Sequence, residues 1–230
     1  MRILITETSW IMATIAKLMR DEGFLVSEAA DAEDVLTHVA QCQYDAVLFD
    51  PDLPDMDGSD LIRRLRSRAP QLPILLFSRE VSHRDRLRGL AIGADDVIAW
   101  PFDGAEIAAR VRAFARRARG FASSTPEFCG LRIDFDRRRV SFAGHSIHLT
   151  RLEYELVETL ALANGRLLGR EALITRLYGW EDEPDWKILD VYICRIRAKL
   201  ATLDAPAQLI ATSFGQGYRI NLLADALVAA

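Results

Sequence analysis

Tyr44-Asp45-Ala46-Val47-Leu48-Phe49-Asp50-Pro51-Asp52-Leu53-Pro54-Asp55-Met56-Asp57-Gly58 decides the fold of the first half of this chain. The apolar run Ala46 to Phe49 reads as a short buried strand that stops at the carboxylate of Asp50. Two prolines and three more aspartates then make a turn, and Gly58 opens an amphipathic stretch that continues to residue 68. Strand, acidic turn and helix form one β-α unit.

The same unit recurs on both sides. Apolar runs at Ile3 to Thr6, Leu25 to Glu28, Ile74 to Phe77 and Val97 to Ala99 alternate with helical patterns at 10–21, 32–41, 82–92 and 103–118. Five such units predict an α/β domain, a doubly wound five-stranded parallel sheet of the flavodoxin/CheY-like kind with helices on both faces. Any ligand site then lies at the carboxyl ends of the strands, where the loops after Thr6, Phe49 and Phe77 meet.

Beyond residue 110 the last helix turns basic and runs into Gly120-Phe121-Ala122-Ser123-Ser124-Thr125-Pro126, read as a linker. The pattern then changes. Short strands between Leu131 and Leu149 turn at Asp136-Arg137-Arg138 and Ala143-Gly144-His145. Helical patterns follow at 151–163, 170–178 and 185–202, and Leu209 to Thr212 with Tyr218 to Leu222 closes a hairpin across Gly215-Gln216-Gly217. Strands, three helices and a hairpin predict a winged helix-turn-helix. The expected division is 1–119, linker 120–126, second domain 127–223 and tail 224–230.

Composition narrows the function. In 230 residues no apolar run reaches the length of a membrane span, and Met1-Arg2 leads into Ile3-Leu4-Ile5 with no signal-peptide pattern, so a cytoplasmic protein is expected. Cys42, Cys129 and Cys194 are odd in number and lack ligand-like spacing to the histidines, which argues against a disulfide framework or a zinc site. No P-loop or Ser-His-Asp context points to an enzyme. The net charge of −4 hides its distribution: from Lys187 to Lys199 the cations Lys187, Arg195, Arg197 and Lys199 face only Asp190. Positive charge concentrated on one helix suits a nucleic-acid partner.

The acidic run around Asp50, Pro73 to Ser78 and Gly93 to Phe102 resembles the receiver domain of bacterial response regulators over residues 1–118, with Asp50 at the phosphoacceptor position. The resemblance implies a pocket of Glu7, Thr8, Asp50, Asp52, Ser78 and Trp100. Receivers supply two adjacent acids after the first strand and a lysine after the fifth; this chain has Glu7-Thr8 and Trp100 there. Phosphoryl transfer to a carboxylate needs a divalent cation and a fixed positive charge, and loss of one preorganised electrostatic group typically costs ~10²- to 10³-fold in rate. Mg²⁺ held by Glu7 and Asp50 is therefore expected to be weak or absent, and no cofactor is required. Asp52 offers a substitute carboxylate. Val97 stands where family members carry the tyrosine that reports phosphorylation, while Ser78 matches their small hydroxyl residue.

The OmpR/PhoB type of this family dimerises through the fourth helix, fifth strand and fifth helix. At positions resembling its crossed ion pairs lie Arg86 with Glu106, Asp96 with Arg110, and Asp95 with Arg117, all complementary. Leu149 to Leu156, Asp185 to Leu200 and Gly217-Tyr218-Arg219-Ile220 resemble the effector domain of that type, and Asp182-Glu183-Pro184 is most similar to the CtrA-like subgroup, which governs cell-cycle and motility genes.

On the 185–202 helix, Ile188, Val191 (with Leu189), Ile196 and Leu200 are expected to face the core and Lys187, Tyr192, Arg195 and Lys199 the groove. The expected DNA contacts are Lys187, Tyr192, Arg195, Arg197, Lys199 and Arg219, with Arg195 reading bases, Lys199 holding phosphate and Arg219 reaching a minor groove. Trp180 and Trp186 flank the loop where family members contact RNA polymerase; packing against the domain is the alternative for both.

The expected function is a transcription regulator that dimerises and binds double-stranded DNA largely without aspartyl phosphorylation. Two alternatives stand beside it: a conventional regulator switched at Asp50 by a histidine kinase, and a receiver-based adaptor that sequesters a signalling partner.

Overall fold

Runs of Ile, Leu, Val and Phe buried on both sides cannot alternate in polarity, and such runs form the strands of a sheet covered on both faces. In the computed structural model, which describes residues 1–78, 83–179 and 184–222, these are β1 (Arg2–Thr6), β2 (Leu25–Ala29), β3 (Ala46–Phe49), β4 (Ile74–Ser78) and β5 (Asp96–Ala99). All their pairings are parallel, in the order β2-β1-β3-β4-β5. The helices between and after them are α1 (Trp10–Asp21), α2 (Ala32–Gln41), α3 (Gly58–Arg68), α4 (His83–Ile92) and α5 (Gly104–Ala118). β2 and β4 run one residue past the expected stretches, and β1 and β5 begin one residue before them, because backbone pairing continues there, as at Thr6↔Ala29, Ser78↔Ala99, Arg2↔Leu25 and Leu75↔Asp96. Ser82, expected to start the fourth helix, lies outside the described residues.

Side chains that cap helices fix where the chain turns. Ser9 accepts the Met12 amide at the start of α1, Asp31 the Asp34 amide at α2, and Asp57 the Ser59 amide at 2.7 Å at α3. Gly58 is required beside Asp57, since a Cβ there would sit 2.8 Å from the Cα of Pro51. Leu4, Val47, Phe49, Leu61, Leu65 and Leu76 fill the core on one side of the sheet.

The chain divides into two compact units, Met1–Ala118 and one that begins at Arg119. The second holds an antiparallel sheet of β6 (Glu127–Phe128), β7 (Leu131–Asp134), β8 (Arg139–Phe142) and β9 (His145–Ile147). Helices α6 (Arg151–Leu162), α7 (Arg170–Tyr178) and α8 (Lys187–Ala201) follow, then the hairpin β10 (Ile210–Ser213) and β11 (Gly217–Ile220). This is the winged helix-turn-helix arrangement. A capping box of Thr150 and Glu153 starts α6. Phe128, Phe135, Leu156, Leu160, Leu189 and Ile196 are buried at its centre.

The stretch read as a linker bonds onto this unit. Ser124 and Pro126 carbonyls accept the Phe135 and Ile133 amides, and Phe121 packs edge-on against Phe128 and Phe135.

Candidate receiver site and nucleic-acid interface

The sheet order places the carboxyl ends of β1, β3, β4 and β5 along one edge, and with them Glu7, Asp50, Ser78 and Trp100. The register pairs Ile5 with Leu48, which sets Glu7 level with Asp50 on neighbouring strands. Asp50 Oδ1 accepts the Asp52 amide at 3.1 Å. The Thr8 hydroxyl is buried and finds no hydrogen-bond partner among the described residues. Trp100 is 46% exposed; its ring meets Trp10 at 5.9 Å and Phe102 at 5.0 Å, both edge-on. The edge thus carries an aromatic cluster, with an indole where the resemblance calls for an ammonium.

The acidic turn is richer in carboxylates than its site can use. Asp55 takes the amides of Ala32 and Glu33 at the start of α2, and those donors hold its carboxyl below the usual carboxylate range. The Ser59 hydroxyl and amide do the same for Asp57. Both act as helix caps, which leaves Asp52 exposed with no side-chain partner among the described residues. Among those residues no group of three or more His, Cys, Asp or Glu is placed to hold a metal ion. Two carboxylates and a buried neutral hydroxyl do not fit the Mg²⁺ site implied by the resemblance.

The second candidate face is α4, β5 and α5. Arg86 and Arg117 are exposed, as are Leu87 and Leu90 on α4. The remaining charges already have partners within the chain. Arg110 bridges Asp96 and Glu106, each at 2.6 Å, and those acids hold its guanidinium above its ordinary pKa. Asp95 pairs with Arg66 at 2.6 Å and accepts the Ile74 amide.

On α8 the expected faces need correction. Leu189, Ile193, Ile196 and Leu200 are buried, and Val191, expected in the core, is 45% exposed. Spacings of four, three and four residues keep the buried set on one stripe, and Val191 lies on the far side of it. The outward face carries Lys187, Val191, Cys194, Arg195 and Ala198.

Three residues expected to contact DNA are engaged inside the unit. Lys199 Nζ donates to Glu153 Oε2 at 2.6 Å, Tyr192 shares a 2.8 Å hydroxyl bond with Tyr178, and Arg197 donates to the Ile210 carbonyl and to Thr212 Oγ1. Burial pushes the Glu153 carboxyl up, but Lys199 and the Thr150 amide outweigh it and hold it below its usual value. Burial and the Tyr192 bond push the Tyr178 phenol up to about 12.

The hairpin lies against α8. The Tyr218 hydroxyl donates to Asp190, which also pairs with Arg170 at 2.9 Å. The Arg170 guanidinium stacks 4.6 Å from the Trp186 ring. Arg219 is exposed on β11. Trp180, Asp182 and Glu183 lie outside the described residues. Periodicity gives no account of the hairpin tip, where Phe214 is wholly exposed. Among the described residues no helix is long and apolar enough to cross a membrane.

Residues 3–112 match the response regulator receiver domain, and residues 144–220 match the family described as transcriptional regulatory protein, C terminal. The cell cycle response regulators CtrA of Brucella ovis and Brucella anthropi are each 37% identical to this chain over 216 residues, 94% of the chain and 93% of the relative. The solved structure of response regulator DrrB, a Thermotoga maritima OmpR/PhoB homologue, is 26% identical, covering 96% of this chain and 98% of that one, with a TM-score of 0.45.

Proposed function

The chain belongs to the response regulators of the OmpR/PhoB type, a receiver followed by a DNA-binding domain, and we propose that it dimerises and binds promoter DNA without needing phosphorylation of Asp50. The observation that carries this reading is Trp100. An indole, packed with Trp10 and Phe102, offers one N–H donor and no positive charge to a phosphoryl oxygen. Thr8 adds to it by replacing a carboxylate with a neutral hydroxyl. Incubation with acetyl phosphate and Mg²⁺, read by intact mass, tests the reading: little or no adduct is expected, and near-stoichiometric phosphate on Asp50 contradicts it.

Dimerisation is assigned to α4, β5 and α5. Leu87 and Leu90 supply exposed apolar surface there, ringed by Arg86, Asp96, Glu106, Arg110 and Arg117. Closure of a dimer exchanges some of the in-chain pairs of Arg110 and Asp95 for pairs across the interface. The gain is set by the leucines more than by the charges, because exposed ion pairs are each worth about 0 to 1 kcal/mol.

DNA reading is assigned to the outward face of α8. Arg195 presents a planar fork that matches guanine O6 and N7, and Lys187 at the helix start holds a phosphate. Partners on this reading are double-stranded DNA, a second copy of the chain and RNA polymerase. A histidine kinase or another signalling protein acts at the receiver, and the protein works in the cytoplasm.

One observation favours the conventional switch as a second reading. Asp52 has an exposed carboxylate without a side-chain partner among the described residues, beside Asp50. With Glu7 it is the available substitute for the missing acid. Loss of dimerisation on Asp50→Ala is the outcome that selects this reading.

A further inference from the structure

We propose that the cavity between α3 and α4 of the first unit binds a small amphipathic amine, an apolar body of about a dozen non-hydrogen atoms that carries one protonated nitrogen. The site stands apart from the regulatory reading and does not rest on it, because none of Thr8, Asp50 and Trp100 lines this space.

Small residues leave the room. Gly89 lets α4 settle close to the sheet, where a Cβ would lie 3.0 Å from Val97 Cγ2 and 3.1 Å from Leu76 Cδ1. Gly89 has no side chain and Val97 a short one, and both border a cavity of about 330 Å³. Ligand pockets run from about 300 to 1,000 Å³, so this is a small one. At about 30 Å³ for each water of the liquid it has room for about eleven, which sets the size of the ligand.

Two kinds of surface meet there. Ile62 of α3, Leu76 of β4, Ile92 of α4 and Val97 of β5 give an apolar floor. The charged groups among the described lining residues are Asp52, Asp57, Asp85 and Arg88, all exposed and so placed at the mouth. The Ser59 hydroxyl and amide hold the Asp57 carboxyl below the usual range, with Arg88 adding to the effect, so it stays anionic at neutral pH. Asp52 has no side-chain partner among the described residues.

One guanidinium does not balance three carboxylates, and the mouth therefore favours a cation and repels an anion. A metal ion is not the cation it suits. Among the described residues no group of three or more His, Cys, Asp or Glu is placed to hold one, so the acids ring the mouth without converging. Carboxylates spread above an apolar floor match an ammonium on a hydrocarbon body. Because α4 forms one wall and also carries Leu87 and Leu90, a bound amine lies against the helix assigned to the dimer face.

Titration of the full chain with 4-phenylbutylamine, 4-phenylbutanol and 4-phenylbutyrate, read by NMR of its Ile, Leu and Val methyl groups, tests the site. The amine is expected to shift the methyls of Ile62, Leu76, Ile92 and Val97 with a Kd of about 1 mM or tighter. The alcohol should bind about tenfold more weakly, since it forms no ion pairs, and the butyrate more weakly still. Asp52→Asn combined with Asp85→Asn should bring the amine close to the alcohol. Val97→Phe fills the floor and should abolish the amine's shifts, while its other methyl signals report that it is folded. If that variant does not fold, the paired asparagine substitutions, both at exposed positions, carry the test. No shift at about ten times the expected Kd, shifts confined to methyls elsewhere, or an alcohol or butyrate that binds as tightly as the amine overturns the proposal. So does unchanged binding in a folded Val97→Phe or in the asparagine pair.

Discussion

Trp100 and Thr8 stand where a receiver needs a cation and a carboxylate, and each substitution removes a preorganised electrostatic contribution to phosphoryl transfer. On the reading that the site is inert because of them, putting the ordinary groups back should revive it. Thr8→Asp combined with Trp100→Lys is expected to raise the rate of labelling by acetyl phosphate at least about 100-fold, read as an intact-mass time course. A double variant as inert as the wild type would place the defect elsewhere.

Lys199 belongs to the same scale. Its ion pair with the buried Glu153 makes it a structural group, so Lys199→Ala should cost stability more than DNA affinity. Because the folded pKa of Glu153 is lowered, the stability it confers is present above the ordinary carboxylate pKa and is lost as pH falls through the folded value. Glu153→Gln should therefore destabilise the chain by about 1 to 3 kcal/mol at neutral pH, and the deficit should shrink in acid, below pH 4.5. Urea unfolding across that range checks it. Arg195→Ala is expected to cost about 1 to 3 kcal/mol on the selected site and to relax preference at one base position, which competition binding with single-base variants measures.

Among the elements, those of the first unit were legible because parallel strands buried on both faces leave unbroken apolar runs, and because Asp57 with Gly58 marks the start of α3 plainly. Asp50, Ser78 and Trp100 could be placed from the sequence since each sits at the end of such a run. In α8 the sequence was ambiguous. Ile188 and Val191 fit a helical stripe nearly as well as Leu189 and Ile193, and only the presence of α6 on one side decides between them. The two residues of β6 are too few to show a period, and the cap roles of Asp55 and the tie between Lys199 and Glu153 are long-range contacts that spacing does not encode.

The α4, β5 and α5 face makes its own prediction. Glu106→Arg places a cation opposite Arg86 of a second copy and should weaken association, while the combined Arg86→Glu and Glu106→Arg should partly restore it. Leu87→Asp should weaken it further, since it removes the apolar part of the face. Sedimentation that finds no effect of either single change would put the interface elsewhere.

At the scale of the whole molecule, two DNA-binding domains joined through their receivers should prefer two half-sites about one helical turn apart. Insertion of half a turn between them should abolish cooperative binding. A single half-site bound as tightly as the pair would favour the adaptor reading instead. The decisive measurement is genome-wide binding of wild-type and Asp50→Ala protein side by side. Phosphorylation-independent regulation predicts the same sites occupied to the same extent by both proteins. Loss of those sites in Asp50→Ala, with the variant still folded, would contradict it.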